Sequence, residues 1–363
     1  MKRNLSILKG KPKRVRVVLI KPSKYDDEGY VIRHFRGILP SNTLACLSSL
    51  TQDVAERNLL GSDVKLEVVI YDDTVQSIPV RRIIRSNRPP ERRTIVALVG
   101  VQSNQFPRAA DLARQFRQGG IQVLIGGFHV SGALALSQGI TPEIQELMDL
   151  GVSIVKGEVE DTWGDILRDA VEDRLKPLYD FLDRKPDLHS HPIPMIHRKY
   201  LKRFLISRFG TIDCSRGCPF NCSFCSIINV QGRKMRVRSP ELLIQNIREN
   251  YRRHKVFYYF FTDDNFARNP CWREIFQMLI KLREQEGIPI EFMMQVDTQA
   301  HKTPDFVDLA GRAGCTQVFI GMESINPENL KAAGKAQNKV QDYKDMVNAW
   351  HEAKIVTHAA YIV

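Results

Sequence analysis

Four of the seven cysteines lie within a stretch of twelve residues that runs from Cys214 to Cys225. Cys218, Cys222 and Cys225 have the spacing C-x3-C-x2-C and directly follow an apolar, strand-like run. Three thiolates on one tight loop can bind three irons of a [4Fe–4S] cluster, which leaves the fourth iron open to an exogenous ligand. Gly217 lets the loop turn so that the three sulfurs converge. Such clustering in a chain without a secretion signal indicates metal binding rather than disulfides.

Two other uses of these cysteines stay open. All four would form a structural zinc site if Cys214 joined the other three, although zinc sites more often pair two short spacings across a longer loop. With Cys214 as a fourth ligand, a cluster would serve electron transfer or sensing without catalysis. We expect Cys214 to be a core residue at a strand end, and the isolated Cys46, Cys271 and Cys315 to be small core residues as well.

The cysteine loop, with Phe224 before its last cysteine, resembles the loop of the radical S-adenosylmethionine (SAM) superfamily. The resemblance implies that Cys218, Cys222 and Cys225 hold a [4Fe–4S] cluster whose open iron chelates the amino and carboxylate groups of SAM. It also implies that an electron from the cluster cleaves SAM and yields a 5′-deoxyadenosyl radical. The residues that it assigns to SAM contacts are Phe224, Asp263, Asp264, Glu323 and Ser324.

Two polar clusters at strand ends carry these SAM assignments. Asp263 and Asp264 close the second strand of this half, where the family commonly has Gly-Gly-Glu and binds the amino group of SAM. Carboxylates accept hydrogen bonds from an ammonium group in the same way; a strand-end turn is the alternative interpretation. Glu323 and Ser324 close the fourth strand, where members of the family contact the ribose of SAM.

Residues 206–363 alternate between strand and helix patterns, which predicts a partial (β/α) barrel. Because the cysteines follow the first strand, the predicted cluster lies at the face where barrel active sites are built. The chain ends inside the fifth strand, so we expect it to be part of a longer protein. The predicted strands are Thr211–Asp213, Val256–Thr262, Ile290–Val296, Thr316–Gly321 and Ile355–Val363.

Residues 14–174 also alternate between apolar strands and helices, which predicts an α/β domain with a doubly wound parallel sheet, a Rossmann-like fold. A domain of this type before a radical SAM barrel resembles the cobalamin-binding subclass. The resemblance assigns cobalamin to residues that follow three strands, because ligands of such sheets lie at the carboxyl ends of strands. These residues are Ser103, Gly126, Gly127, Gly157 and Glu158.

One feature of other cobalamin proteins is missing from this half. The Asp-x-His-x-x-Gly motif that ligates cobalt is reduced to His34-Phe-Arg-Gly37, with Ile32 in place of the aspartate. We interpret His34 as a loop residue rather than a cobalt ligand. Many members of the radical SAM subclass also lack the motif, so the prediction of cobalamin stands.

A proline-rich stretch at 175–205 predicts a linker between the two domains. Hydrophobic residues make up 43% of the 363 residues, yet no apolar run reaches the 20 residues that a membrane helix needs. We therefore expect a cytoplasmic protein. The formal net charge of +12 suits either a solvated basic surface or a phosphate-rich partner, and a basic RNA-binding protein with structural zinc stays an alternative.

The resemblance implies a cobalamin-dependent methyltransferase that acts on an unactivated carbon or phosphorus centre. A rearrangement or ring-forming reaction without methyl transfer is the alternative within the same family. As partners we expect a small-molecule substrate and an electron donor such as flavodoxin or ferredoxin. We expect no membrane partner, and a nucleic-acid partner stays open.

Overall fold

The computed structural model describes residues 12–137, 139–194 and 197–362. The chain divides into two compact units. The first contains the residues up to Gly37 together with Thr43–Pro186, and the second contains Ile38–Asn42 and the residues from Asp187 onward. Each unit is built on a parallel β-sheet with helices between the strands, so the predicted α/β class is confirmed.

The first unit contains a six-stranded parallel sheet with the strand order β2-β1-β3-β4-β5-β6. The order reverses between β1 and β3, which makes it a doubly wound sheet with a topological switch point at that place. The predicted doubly wound fold is therefore confirmed. The strands are β1 (Arg14–Lys21), β2 (Lys65–Asp72), β3 (Arg92–Leu98), β4 (Gln122–Gly126), β5 (Ser153–Gly157) and β6 (Leu178–Phe181).

Apolar runs place the central strands of this sheet between two layers of helices. In β1 the side chains from Val17 to Ile20 are all buried, because helices cover both faces of a doubly wound sheet. The helices are α1 (Asn42–Glu56), α2 (Val80–Ser86), α3 (Phe106–Gln118), α4 (Phe128–Leu136), α5 (Pro142–Asp149) and α6 (Trp163–Val171).

Strand β6 lies inside the stretch 175–205, for which the sequence predicts a linker. It pairs in parallel with β5, with Ile154 opposite Leu178 and Gly157 opposite Phe181. An edge strand needs hydrogen bonds on one side alone, so the prolines at Pro177 and Pro186 are compatible with a four-residue strand between them. This part of the predicted linker therefore belongs to the first sheet.

The second unit contains a five-stranded parallel sheet with the order β13-β12-β11-β10-β7. Strands that follow one another in the chain are neighbours, as in a (β/α) barrel. The strands are β7 (Phe209–Ile212), β10 (Tyr258–Phe261), β11 (Glu291–Val296), β12 (Cys315–Glu323) and β13 (Val356–Tyr361). The helices are α7 (Arg198–Leu201), α8 (Ile227–Val230), α9 (Pro240–His254), α10 (Trp272–Glu284), α11 (Phe306–Ala313), α12 (Pro327–Ala332) and α13 (Tyr343–Glu352).

Aromatic side chains fill the core between this sheet and its helices. The rings of Phe261 and Phe292, on neighbouring strands, are stacked with their centroids 4.5 Å apart. Phe276 of α10 packs against Phe292 from the helix side, with centroids 5.9 Å apart. Large buried aromatic residues contribute strongly to core stability, and here they fix the strands whose ends carry the polar residues.

A short antiparallel hairpin stands apart from the barrel sheet. Its strands are β8 (Ser215–Arg216) and β9 (Arg236–Val237), which leave the cysteine loop between them. Within the described ranges, no helix is long and apolar enough to cross a membrane.

Gly127, between β4 and α4, generates a prediction about the first sheet. Its φ is +144°, and an added Cβ would lie 2.2 Å from the backbone nitrogen of Val101. We expect Gly127→Ala to lower the free energy of unfolding by roughly 2–4 kcal/mol, because a backbone contact cannot move aside as a flexible side chain does. Urea unfolding followed by circular dichroism measures the change.

Gly132, within α4, provides the matched control. An added Cβ there meets nothing within 4 Å, and alanine is favoured over glycine in a helix by about 1 kcal/mol. We therefore expect Gly132→Ala to be neutral or stabilising. Equal stability of the two variants would contradict the packing described at Gly127.

Candidate active site

The hairpin β8–β9 closes the base of the cysteine loop. Cys218 donates its backbone N–H to the carbonyl of Gly232 (3.2 Å) across the loop. Gly217 has a φ of +101°, and an added Cβ would lie 2.6 Å from the carbonyl oxygen of Lys234. The glycine that the sequence identifies as a turn residue is thus required by the close approach of two backbone segments.

The three cysteines of the motif share this closed loop. Cys222 is buried, Cys218 and Cys225 are partly exposed, and the ring of Phe224 is 55% exposed. Burial raises the pKa of the Cys218 thiol; the nearby Cys225 and Asp264 raise it further. Cys218 is therefore close to Cys225 and to the end of β10. Among the residues that the structure describes, no three His, Cys, Asp or Glu side chains form a single-ion metal site.

Cys214 does not join the other three cysteines. It is completely buried among apolar side chains of the second unit, and burial raises the pKa of its thiol well above the ordinary value. The prediction that Cys214 is a core residue at a strand end is confirmed. Without Cys214, neither the four-cysteine zinc site nor the four-cysteine cluster has a fourth ligand.

Asp213, just before Cys214, is held by two arginines. Arg216 Nε and one terminal nitrogen of Arg238 each donate to its Oδ2 at 2.9 Å, and Arg238 Nε also donates to the Asp213 carbonyl at 3.1 Å. Burial by itself would raise the pKa of Asp213, but Arg238 and Arg216 lower it below the ordinary value. A buried carboxylate that is paired in this way fixes the chain where β7 ends.

Asp263 has a second supporting role at the same place. It is 1% exposed, and its carboxylate accepts the backbone N–H of Cys214 at 2.8 Å and the hydroxyl of Ser215. Burial raises the pKa of Asp263 to about 7. Both oxygens are occupied by protein donors, so the structure makes Asp263 a support of the loop base. Its predicted SAM contact stays a prediction.

Asn265, which sequence reasoning did not assign to a role, lies two residues further along. Its Nδ2 donates to Asp297 Oδ2 at 3.0 Å, and Arg268 donates to both oxygens of Asp297 at 2.7 Å. Its Oδ1 is buried and has no hydrogen-bond partner. The side-chain amide of Asn265 is also hydrogen-bonded to the Cys218 thiol and lowers the pKa of that thiol. The sequence analysis singled out the polar stretch that contains Asn265, but a run of polar residues does not show which of them faces the cysteine loop.

Glu323 and Ser324 lie at the end of β12, as predicted. Glu323 has a φ of +62°, which a non-glycine residue adopts with some strain. Its Oε1 accepts a hydrogen bond from Lys335 Nζ at 2.6 Å, and the same Nζ lies 5.8 Å from the ring centroid of Phe224. Lys335 therefore brings the β12 end and the cysteine loop together. The Ser324 hydroxyl accepts the backbone N–H of Asn326 at 3.1 Å.

The segment from Ala333 to Asn338 packs against the cysteine loop. The Ala333 carbonyl accepts the N–H of Ser223 at 3.0 Å, and an added Cβ on Gly334 would lie 2.7 Å from the Asn221 carbonyl oxygen. Gln337 Nε2 donates to the sulfur of Cys222 at 3.7 Å. No pattern in the sequence indicates these contacts, because they join residues about 110 positions apart.

These observations agree with a [4Fe–4S] cluster and SAM at the cysteine loop. The donor set is three thiols on one closed loop, which can bind three of the four irons. The Asn265 side chain, whose amide contacts Cys218, also has a buried and unpartnered Oδ1, which is a suitable acceptor for an ammonium group. The exposed ring of Phe224 offers a flat apolar surface.

The residues predicted for cobalamin lie at the carboxyl ends of the first sheet. Ser103 follows β3, and its hydroxyl lies 3.3 Å from Nδ1 of His129. Nε2 of His129 is buried without a partner, and burial lowers the pKa of this histidine. An orphaned polar atom at the ligand-binding edge of a doubly wound sheet fits a cofactor with hydrogen-bonding groups.

The glycines at this edge have a simpler explanation than the one expected from sequence. A Cβ on Gly127 would meet Val101, and a Cβ on Gly157 would lie 2.7 Å from the backbone of Phe181. Gly157 also donates its N–H to the Ser131 hydroxyl at 3.1 Å. Contacts between backbone segments thus require both glycines. A Cβ on Gly126 would meet Val155 at an ordinary contact distance of 3.4 Å.

Glu158 is the remaining residue predicted for cobalamin, and His34 is the histidine of the incomplete cobalt-binding motif. The backbone of His34 donates to the Thr74 carbonyl at 2.8 Å, while its side chain is exposed. Glu158 directly follows β5 and is partly buried. The structure therefore gives His34 the position of a loop residue.

Residues 212–363 match the profile of the radical SAM superfamily. The match covers 152 of the 363 residues, and it implies a [4Fe–4S] cluster and SAM as cofactors of this part of the chain. The matched range begins at the end of β7 and includes the cysteine loop and the ends of β10 and β12. The family resemblance that the motif indicates is thus confirmed.

Curated relatives extend the similarity into the first unit. A bacteriochlorophyllide d C-8(2)-methyltransferase from Chlorobaculum tepidum is 30% identical over 269 residues, which cover 70% of this chain and 56% of the relative. The C-12(1)-methyltransferase of the same organism is 29% identical over 218 residues, or 58% of this chain and 46% of the relative. An anaerobic magnesium-protoporphyrin IX monomethyl ester cyclase from Cereibacter sphaeroides is 25% identical over 46% of this chain and 27% of its own length. The chain thus spans about half the length of the two methyltransferases.

Two solved structures share the fold over nearly the whole chain. The radical SAM methyltransferase TsrM from Kitasatospora setae, solved with cobalamin and a [4Fe–4S] cluster bound, has a TM-score of 0.68 at 16% identity. That match covers 95% of this chain and 69% of TsrM. The cobalamin-dependent SAM radical enzyme OxsB has a TM-score of 0.69 at 17% identity over 97% of this chain and 49% of its own. The fold therefore has the predicted order, a Rossmann-like unit followed by a radical SAM barrel.

The buried carboxyl of Asp263 generates a pH-dependent prediction. Because its folded-state pKa of about 7 is raised above the ordinary 3.8, the folded chain retains a proton that the unfolded chain loses. The contribution of this group to stability is complete below pH 3.8 and is lost as the pH rises to about 7. We therefore expect the free energy of unfolding of Asp263→Asn to rise relative to that of wild type by up to roughly 1.4 kcal/mol for each pH unit between 3.8 and 7.

Urea unfolding of the two proteins between pH 5 and 8 measures this difference. Asp308→Asn removes an exposed carboxylate from α11 and controls for the change in net charge. A stability difference between Asp263→Asn and wild type that stays constant from pH 5 to 8 would show that Asp263 does not retain its proton.

Proposed function

We propose that this chain is the cobalamin-binding and radical SAM portion of a methyltransferase that acts on an unactivated centre of a small molecule. The observation that carries the proposal is the closed C-x3-C-x2-C loop, together with the exposed Phe224 and with Asn265, whose amide contacts Cys218 and whose Oδ1 has no partner. When bound, the cluster would supply the electron that cleaves SAM to a 5′-deoxyadenosyl radical, and cobalamin would supply a methyl carrier.

The chain itself would bind and orient these groups. In this proposal Cys218, Cys222 and Cys225 would hold the cluster, and the exposed ring of Phe224 would offer an apolar contact surface to SAM. Glu323, held by Lys335, accepts hydrogen bonds from the ribose hydroxyls. Asp264, Asn265 and Ser324 complete the polar lining. Asp263 would act indirectly, because it holds the backbone that leads into the loop.

The first unit would bind cobalamin at the carboxyl edge of its sheet. Ser103 and His129 offer a hydroxyl and a buried ring nitrogen for the amide groups of a corrin. Gly126, Gly127, Gly157 and Glu158 would form the adjoining backbone wall. Two proteins that share the fold of this chain, TsrM and OxsB, were solved with cobalamin bound.

We favour methyl transfer over a ring-forming reaction as the proposed activity. The relatives matched over the larger shares of this chain are named as methyltransferases, whereas the relative named as a cyclase matches 46% of it. An electron donor such as flavodoxin or ferredoxin and a cytoplasmic location stay predictions, as does the absence of a membrane partner.

Replacement of a cluster ligand gives the first test of this function. We expect Cys222→Ala, after anaerobic reconstitution, to lose at least about nine tenths of its iron and all reductive formation of 5′-deoxyadenosine, because two thiolates do not retain a cubane cluster. Iron analysis and chromatography of the nucleoside provide the measurements. Circular dichroism establishes that the variant is folded.

Cys271→Ala is the matched control, since Cys271 lies outside the loop at the start of α10. We expect it to retain its iron and its nucleoside formation. Full iron content in Cys222→Ala would refute the assignment of the loop as a cluster site.

His129 gives a separate test of cobalamin binding. We expect the full chain to bind hydroxocobalamin and His129→Ala to bind it about tenfold more weakly, which corresponds to the loss of one hydrogen bond of about 1.4 kcal/mol. Titration by visible absorbance measures both affinities. His34→Ala is the control, because its exposed side chain has no role in this account. An altered cobalt spectrum in His34→Ala, with normal binding by His129→Ala, would reverse the two assignments.

A further inference from the structure

A cavity lined by cations lies at the amino-terminal ends of the first sheet. Its volume is about 410 Å³, and its lining consists of Lys13, Arg14, Arg88, Glu91 and Arg92. We call these five residues the basic pocket. Arg14 begins β1 and Arg92 begins β3, so the basic pocket is at the opposite end of the strands from the residues proposed for cobalamin.

The strand register brings like charges side by side at this end. The Cα of Arg14 is in register with those of Lys65 on β2 and Arg92 on β3. Arg92 is also bridged to Arg88, and their backbones exchange hydrogen bonds of 2.8 and 2.9 Å. Like charges directly opposite one another on neighbouring strands are destabilising. Four cations are adjacent at this end of the sheet and repel one another: Arg14, Lys65, Arg88 and Arg92.

Neighbouring arginines on the same strands have acidic partners. Arg16 is paired with Glu67 at 3.0 Å, and Arg93 with Asp173 at 2.6 Å. By contrast, the cations of the basic pocket form no ion pair with any described residue, and Arg92 Nε donates to the Ser86 carbonyl at 2.7 Å. Within the described part of the chain, the cations next to the cavity thus lack the carboxylate partners that Arg16 and Arg93 have.

We propose that the basic pocket binds a small molecule that carries a diphosphate group. Four cations and one carboxylate give the lining a formal charge of +3, and a concave wall concentrates the potential of such a group. Guanidinium groups offer paired N–H donors that match phosphate oxygens. The volume lies in the range of small-molecule sites. A nucleic acid would instead need a basic stripe that follows its backbone.

The test uses the full chain with inorganic pyrophosphate and ADP as probes, and isothermal titration calorimetry at fixed ionic strength as the measurement. We expect wild type to bind at least one probe. The double variant Arg14→Ala/Arg88→Ala should bind it at least tenfold more weakly. Lys24→Ala/Arg57→Ala removes the same charge at exposed positions of the first unit outside the basic pocket, and should bind as wild type does.

Thermal unfolding without a probe gives a second, independent readout. Because the cations repel one another, Arg14→Ala/Arg88→Ala should unfold at the same or a higher temperature than wild type. Pyrophosphate should stabilise wild type and the Lys24→Ala/Arg57→Ala control but not Arg14→Ala/Arg88→Ala. No binding of either probe, or equal weakening in both double variants, would overturn the proposal. Binding of RNA that neither probe displaces would also overturn it and would assign this surface to nucleic acid.

Discussion

The candidate active site depends on how the chain leaves strand β7. Two buried carboxylates act there, and their environments shift their pKa values in opposite directions. Asp213 is kept ionised by Arg216 and Arg238, whereas burial favours the protonated form of Asp263. Together they hold the backbone from Asp213 to Ser215, and this backbone leads directly into the cysteine loop.

The rest of the site is assembled on this fixed base. The hairpin β8–β9 closes the loop, and the segment from Ala333 to Asn338 covers one side of it. Lys335 then joins Glu323 at the end of β12 to the ring of Phe224. A site built from strand ends and a loop needs such supports, because a small displacement of a positioned group weakens its chemistry.

The sequence predicted the parts of this arrangement that follow from local spacing. The C-x3-C-x2-C motif and the alternation of strands and helices led to the family and to both sheets. The separate roles of Asp263, Asp264 and Asn265 could not be predicted from the sequence, because a run of adjacent polar residues does not show which side chain faces inward. Lys335 and Gln337 were missed because their contacts join distant parts of the chain. Strand β6 was missed because flanking prolines are typical of loops as well as of edge strands.

We propose that the cysteine loop holds a [4Fe–4S] cluster with one iron open to SAM. Electron paramagnetic resonance of the anaerobically reconstituted and reduced full chain, recorded with and without SAM, tests it most directly. We expect a reduced [4Fe–4S] signal whose g values shift when SAM is added. A cluster signal that does not respond to SAM, or zinc in place of iron, would contradict it.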